Sequence, residues 1–201
     1  MPIPRLRPDA CSLLVIDVQE RLLPTITDGE AIAHNCGVLA AGAAALGLPI
    51  LVTEQYVKGL GPTVSPIADR LPSGTPRVEK TRFSAVVPET ERFLREHRRP
   101  TVLVCGVEAH VCVLQTTLDL LARGWSVFLA TDAISSGQAD QISPAFARMH
   151  AAGATFTGTL GALYELVGDA SDPRFKSILP LAKSVRSPGR LGPVGGRDFF
   201  R

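Results

Sequence analysis

No stretch of this chain approaches the roughly 20 consecutive apolar residues that a membrane-spanning helix needs, so no membrane partner is expected. The opening MPIPRLRPDA runs into a strand pattern without the apolar core of a secretory signal, which points to the cytoplasm. Neither sign of charge dominates: 21 Lys and Arg against 19 Asp and Glu leave a formal net charge of +2. That balance lacks the electrostatic footprint of a nucleic-acid or strongly lipid-binding protein, and a small molecule is the expected partner. The four cysteines, Cys11, Cys36, Cys105 and Cys112, show no CxxC spacing, so neither a disulfide framework nor a zinc cluster is indicated. Free thiols remain, and a small buried hydrophobe is the default role of each. No internal repeat is present.

What is there suits one α/β domain, since 201 residues with 45% hydrophobic and 20% charged allow one sizeable core and not two. SLLVID (Ser12 to Asp17) is a short apolar run closed by a carboxylate, as in a central parallel strand whose last residue emerges at the carboxyl edge. An Ala-rich helix over Glu30 to Leu46 stops at Gly47, and PILVT then ends near Glu54, completing a βαβ unit. Gln55 to Glu79 is a long Gly/Pro/Ser/Thr connection of the kind that covers a site. VEKTRFSAVV follows, then a helix from Pro88 to about His97, the strand TVLVCG, a helix from Cys112, the strand WSVFLATD, a helix through Ala152, the strand ATFTGT and a short helix near Leu160. Alternation of this kind predicts a three-layer α/β/α architecture with a doubly wound, mostly parallel six-stranded sheet. Residues 1–185 form the expected domain, and 186–201, rich in Gly, Pro and Arg, are expected as a tail.

Ligands of doubly wound sheets bind beyond the carboxyl ends of strands where strand order reverses. If the first strand and TVLVCG are neighbours, Asp17 and the turn Gly106 to Cys112 share one crevice. A thiol at a helix N-terminus meets unsatisfied N–H groups and the positive end of the macrodipole, which favour a nucleophilic thiolate. Backbone N–H groups near Glu108 and at Cys112 are placed to hold an oxyanion, and Lys80 is the cation able to hold Asp17 and thiolate together. Each also has a plain alternative: Asp17 as a strand-end turn former, Lys80 as a solvated charge and Cys112 as a core thiol.

The segments LLVIDVQERLLP, VEKTRFSAV, LVCGVEAHVCVLQTTLDLLARGW and ATDAISS resemble, in order and spacing, those of the isochorismatase-like cysteine hydrolases, from Ser12 to about Lys183. The resemblance implies a Rossmann-like fold and an Asp–Lys–Cys triad on Asp17, Lys80 and Cys112. It also implies a cis Val107–Glu108 peptide that turns the N–H of Glu108, with that of Cys112, into an oxyanion hole. The related nicotinamidases hold a metal with an Asp-x-His pair and a further His after the second strand; TEQYVKGLGPTVSPI has no histidine, so no metal and no cofactor are expected. Glu108 stands where many relatives have a small residue, and its side chain either enters the pocket, disfavouring an anionic substrate, or points outward. Gln19 matches the family's DxQ and is expected to brace the pocket floor; Leu23, Tyr56 and Phe83 are candidates for its lining. His110 reads as a second base or, lacking an acidic partner in sequence, as a hydrogen-bonded surface residue.

Hydrolysis of a small amide or related acyl compound through a thioester on Cys112 is the expected function. A vinyl-ether hydrolase of the isochorismate type and a non-catalytic redox-sensing or interaction protein are the alternatives. A homo-oligomer is expected, with Ala31 to Leu46 and Leu114 to Ala122 able to pack closely against each other or across a subunit boundary.

Overall fold

A computed structural model describes residues 3–189. Six strands, β1 (Cys11–Ile16), β2 (Ile50–Gln55), β3 (Arg77–Lys80), β4 (Thr101–Val107), β5 (Ser126–Ser135) and β6 (Thr155–Thr157), form one sheet in the order β3-β2-β1-β4-β5-β6. All five pairings are parallel. β1 and β4 are buried at every residue, because a central parallel strand is covered on both faces and must be apolar throughout. β3 lies at the sheet edge and alternates exposed and buried.

Eight α-helices are described: α1 (Gly29–Leu46), α2 (Val57–Leu60), α3 (Ser65–Ala68), α4 (Pro88–His97), α5 (Leu114–Ala122), α6 (Ile142–Ala151), α7 (Thr159–Val167) and α8 (Phe175–Ser184). Strand side chains alternate between two cores. Leu13, Val15, Val52, Leu103 and Cys105 meet α1, α3, α7 and α8 on one face, while Leu14, Ile16, Leu51, Val104 and Leu129 meet α4, α5 and α6 on the other. Three layers result, as the alternation predicts. Truncating a buried leucine such as Leu103 or Leu129 to alanine would cost about 2–5 kcal/mol.

Four particulars depart from the sequence reading. The connection expected to be irregular from Gln55 to Glu79 carries α2 and α3 and ends in β3. α8 was not anticipated; Pro180 lies inside it and interrupts the pattern that would have marked it. The Ala-rich α1 spends its small faces within the chain, where α3, α7 and α8 pack on it. The chain stays anchored one residue beyond 185: Asn35 accepts from the Arg186 N–H at 3.0 Å and donates to its carbonyl at 2.8 Å. From residue 190 onward the expected tail lies outside the described residues.

Candidate active site

Strand order reverses between β1 and β4, whose connections leave toward opposite ends of the sheet, and the carboxyl ends of these strands are where ligands of such sheets bind. Ile16 and Gly106 pair across that junction. Gly106 has φ 122°, and a Cβ there would lie 2.1 Å from the Ile16 carbonyl oxygen. Only glycine lets β4 approach β1 so closely before both strands end.

Asp17 follows β1 directly, with its N–H donating to the Thr53 carbonyl on β2 at 3.1 Å. Lys80 closes β3, two strands away, and reaches inward along the sheet end. Its ammonium donates to Asp17 Oδ2 at 2.6 Å, to the carbonyls of Arg82 and Phe83 at 3.2 Å each, and lies 3.7 Å from Cys112 Sγ. Both charged side chains are 0% exposed. A buried ion pair persists where further hydrogen bonds satisfy both partners; here the two carbonyls serve Lys80, and the Thr53 hydroxyl donates to Asp17 Oδ1 at 2.7 Å. The structure therefore brings Asp17, Lys80 and Cys112 together from three separate elements.

Cys112 does not stand at the mouth of its helix. Glu108 precedes a wide π-type turn, Ala109–Val113, that runs directly into α5, so the thiol lies within the helical run. It is 7% exposed. Burial pushes the thiol up to about 12, the Asp17 charge adds to that effect, and Lys80 opposes it. At neutral pH the resting group is the thiol, and a thiolate requires transfer of its proton.

The peptide Val107–Glu108 is cis. Among the described residues the Glu108 N–H has no hydrogen-bond acceptor, while its carbonyl accepts from Val111 and Val113 at 3.0 and 3.1 Å. The Glu108 carboxylate accepts from the Gly137 N–H at 2.7 Å, which ties the turn to the loop after β5. His110 Nδ1 lies 2.9 Å from the Ser136 hydroxyl, consistent with a hydrogen-bonded histidine.

Gln19 is fully buried and braces the long connection: its amide donates to the carbonyls of Gln55 and Gly61 at 2.9 and 2.6 Å and accepts from the Gln55 N–H at 2.7 Å. Glu54, overlooked in the sequence reading, adds a second clamp by accepting from the Thr63 N–H and hydroxyl at 2.7 and 2.6 Å. Tyr56 is 59% exposed and Phe83 54%. The Tyr56 ring lies on Gly59, where a Cβ would meet ring carbons at 2.4 and 2.5 Å, and borders an open groove of about 540 Å³ with Lys58, Thr81, Arg82 and Glu89. Leu23 starts a short 3-10 turn beside Gly29 and packs against the α1-face core. Thr53 was also missed; its place beside Asp17 is set by the register of β2 on β1, and no local sequence signal marks it.

No three His, Cys, Asp or Glu side chains are grouped to hold a metal ion among the described residues. Nor is any described helix long and apolar enough to cross a membrane.

The isochorismatase domain family matches residues 11–159, and the chain belongs to that family. A secreted isochorismatase effector of Phytophthora sojae is 41% identical over 184 residues, 89% of this chain and 87% of that protein. The structure of the MAR1 ribonuclease of Caenorhabditis elegans superposes with a TM-score of 0.88 at 38% identity, covering 94% of this chain and 97% of that one. A Pseudomonas aeruginosa YcaC structure, described with covalent acrylamide, has a TM-score of 0.82 at 26% identity and covers 90% and 93%.

Proposed function

We propose that this member of a hydrolase family is a cysteine hydrolase of a small amide or related acyl compound. The observation that carries the reading is the convergence of Asp17, Lys80 and Cys112 on one buried point at the strand-order reversal. Asp17 takes the thiol proton as Cys112 Sγ attacks the substrate carbonyl, and the N–H groups of Glu108 and Cys112 receive the oxyanion. Collapse of that intermediate breaks the C–N bond, and the proton returns from Asp17 to the leaving amine. Water then attacks the thioester while Asp17 accepts its proton, releasing the acid and restoring the thiol. Lys80 holds Asp17 Oδ2 in place and offsets the charge of the transient thiolate. The protonated resting thiol supports this order of events, since the nucleophile forms only when a proton acceptor is engaged. Covalent acrylamide in the YcaC relative is in keeping with a reactive centre that admits a small amide.

The ribonuclease name of the C. elegans relative points to RNA instead. At the thiol itself, however, the nearby cation Lys80 is already committed to Asp17, an arrangement better suited to a neutral carbonyl than to a phosphodiester. Four cysteines without CxxC spacing fit a reducing cytoplasm, although the Phytophthora relative is named as secreted. The exposed Phe156, Leu160 and Tyr164, which lie on adjoining elements, favour a homo-oligomer, to be read from the mass in solution.

The test is steady-state release of ammonia or amine from a panel of small amides, with RNA and isochorismate as comparison substrates. Release by wild type that is abolished in Asp17→Asn and Cys112→Ala supports the reading. Turnover of RNA or isochorismate by both wild type and Cys112→Ala would overturn it.

A further inference from the structure

We infer that Thr53 is a positioning residue for the reaction, acting through Asp17. The inference rests on the reading of Asp17 as the proton acceptor. The side chain of Thr53 is fully buried at the carboxyl end of β2, in register with Ile16, so its hydroxyl faces the residue that follows β1. It donates to Asp17 Oδ1 at 2.7 Å while Lys80 holds Oδ2 at 2.6 Å. Two donors on two oxygens fix the plane of the carboxylate, whereas Lys80 alone would leave it free to rotate about its Cα–Cβ and Cβ–Cγ bonds. The backbone reinforces the same pair, with the Asp17 N–H bound to the Thr53 carbonyl.

The groups packed around this point are Lys80 from β3 and Cys112 from the turn after β4. Other nearby ionisable groups are engaged elsewhere: Glu54 with Thr63, Glu108 with Gly137 and His110 with Ser136. A change at Thr53 is therefore read mainly through Asp17 and the thiol it faces.

The experiment measures the rate of acrylamide addition to Cys112 by intact mass against pH, in wild type, Thr53→Val and Thr53→Ser, with Cys112→Ala as background. This readout needs no natural substrate. Thr53→Val keeps the shape and deletes the hydroxyl; the expected result is about a tenfold slower addition across the pH range, scaled from the loss of one hydrogen bond to a charge. Thr53→Ser restores the wild-type profile. A Thr53→Val profile equal to wild type overturns the inference, as does equal impairment of Thr53→Val and Thr53→Ser, which would make packing the cause. Should Thr53→Val fail to fold, Thr53→Ala is read in the same way against Thr53→Ser. Failure of the hydrolase reading is distinguishable: amides are not turned over, yet the difference between the valine and serine variants persists.

Discussion

Replacing Lys80 with methionine keeps most of the side-chain volume and removes the ammonium alone. The consequence follows from three contacts: 2.6 Å to Asp17 Oδ2 and 3.2 Å to each of the Arg82 and Phe83 carbonyls. Without them Asp17 is a fully buried carboxylate held by the Thr53 hydroxyl, and two carbonyls lose a donor. Breaking a buried pair from one side costs about 3–5 kcal/mol. For a chain of this size each kcal/mol moves the melting temperature by about 2–4 °C, which sets the expected drop at about 6–20 °C. Since total stability of such domains is about 5–15 kcal/mol, Lys80→Met should fold but lie near the margin. Asp17→Asn leaves the cation unpaired and should also destabilise. The double variant Asp17→Asn/Lys80→Met removes both charges and should be less destabilised than the sum of the singles by about 2 kcal/mol. Urea and thermal unfolding at pH 7 of the four proteins close the cycle. A Lys80→Met protein within about 0.5 kcal/mol of wild type, or single effects that simply add, would refute the claim that these charges are desolvated and coupled.

The thiol of Cys112 is raised by burial first, then by the charge of Asp17, with Lys80 opposing. Asp17→Asn should therefore ionise Cys112 at lower pH than wild type, seen as ultraviolet absorbance of the thiolate, while amide turnover is lost; an unchanged midpoint would contradict the assigned coupling. Cys11 and Cys112 are both pushed up to about 12, and burial raises Cys36 as well, whereas unfolded thiols titrate near 8.5. Folded-state values above unfolded ones give stability that is complete below about pH 8.5 and declines as pH rises toward 12. Urea midpoints should fall from pH 8 to pH 10.5, and the fall should be smaller in Cys11→Ala. Gly106→Ala places a Cβ against the Ile16 backbone at a left-handed φ and should cost more than about 3 kcal/mol in chemical unfolding. Thr116 accepts from the buried Ala85 N–H at 2.8 Å, so Thr116→Val should cost about 1–3 kcal/mol and expose that amide to faster hydrogen exchange.

How far the site could be read without coordinates differs residue by residue, for physical reasons. The placement of Asp17 was legible because it closes an apolar strand pattern, whereas Lys80 stands out in sequence only as the cation of VEKTRFS, and its place at the end of β3 comes from the structure. The neighbouring placement of β1 and β4 was a condition in the sequence reading and is met by the sheet order. The position of Cys112 within its helix was misplaced, since AHV reads as a turn but winds as the first, wide part of the helical run. Thr53 acts through a register between β1 and β2, which local pattern does not encode. The direction of the Glu108 side chain was open because its partner, the Gly137 N–H, lies 29 residues away in sequence. α8 was hidden by Pro180, which the packing of Ile178 and Ala182 against the α1 face tolerates.

The central claim is that the thiol of Cys112 becomes acylated with Asp17 as its proton acceptor. Intact-mass spectrometry after incubation with small amides, quenched in acid over a time course, tests it most directly. The account predicts an acyl adduct on Cys112 in wild type that appears and decays with turnover, and none in Asp17→Asn or Cys112→Ala. Amide turnover without any such adduct, or an unchanged adduct in Asp17→Asn, would contradict it.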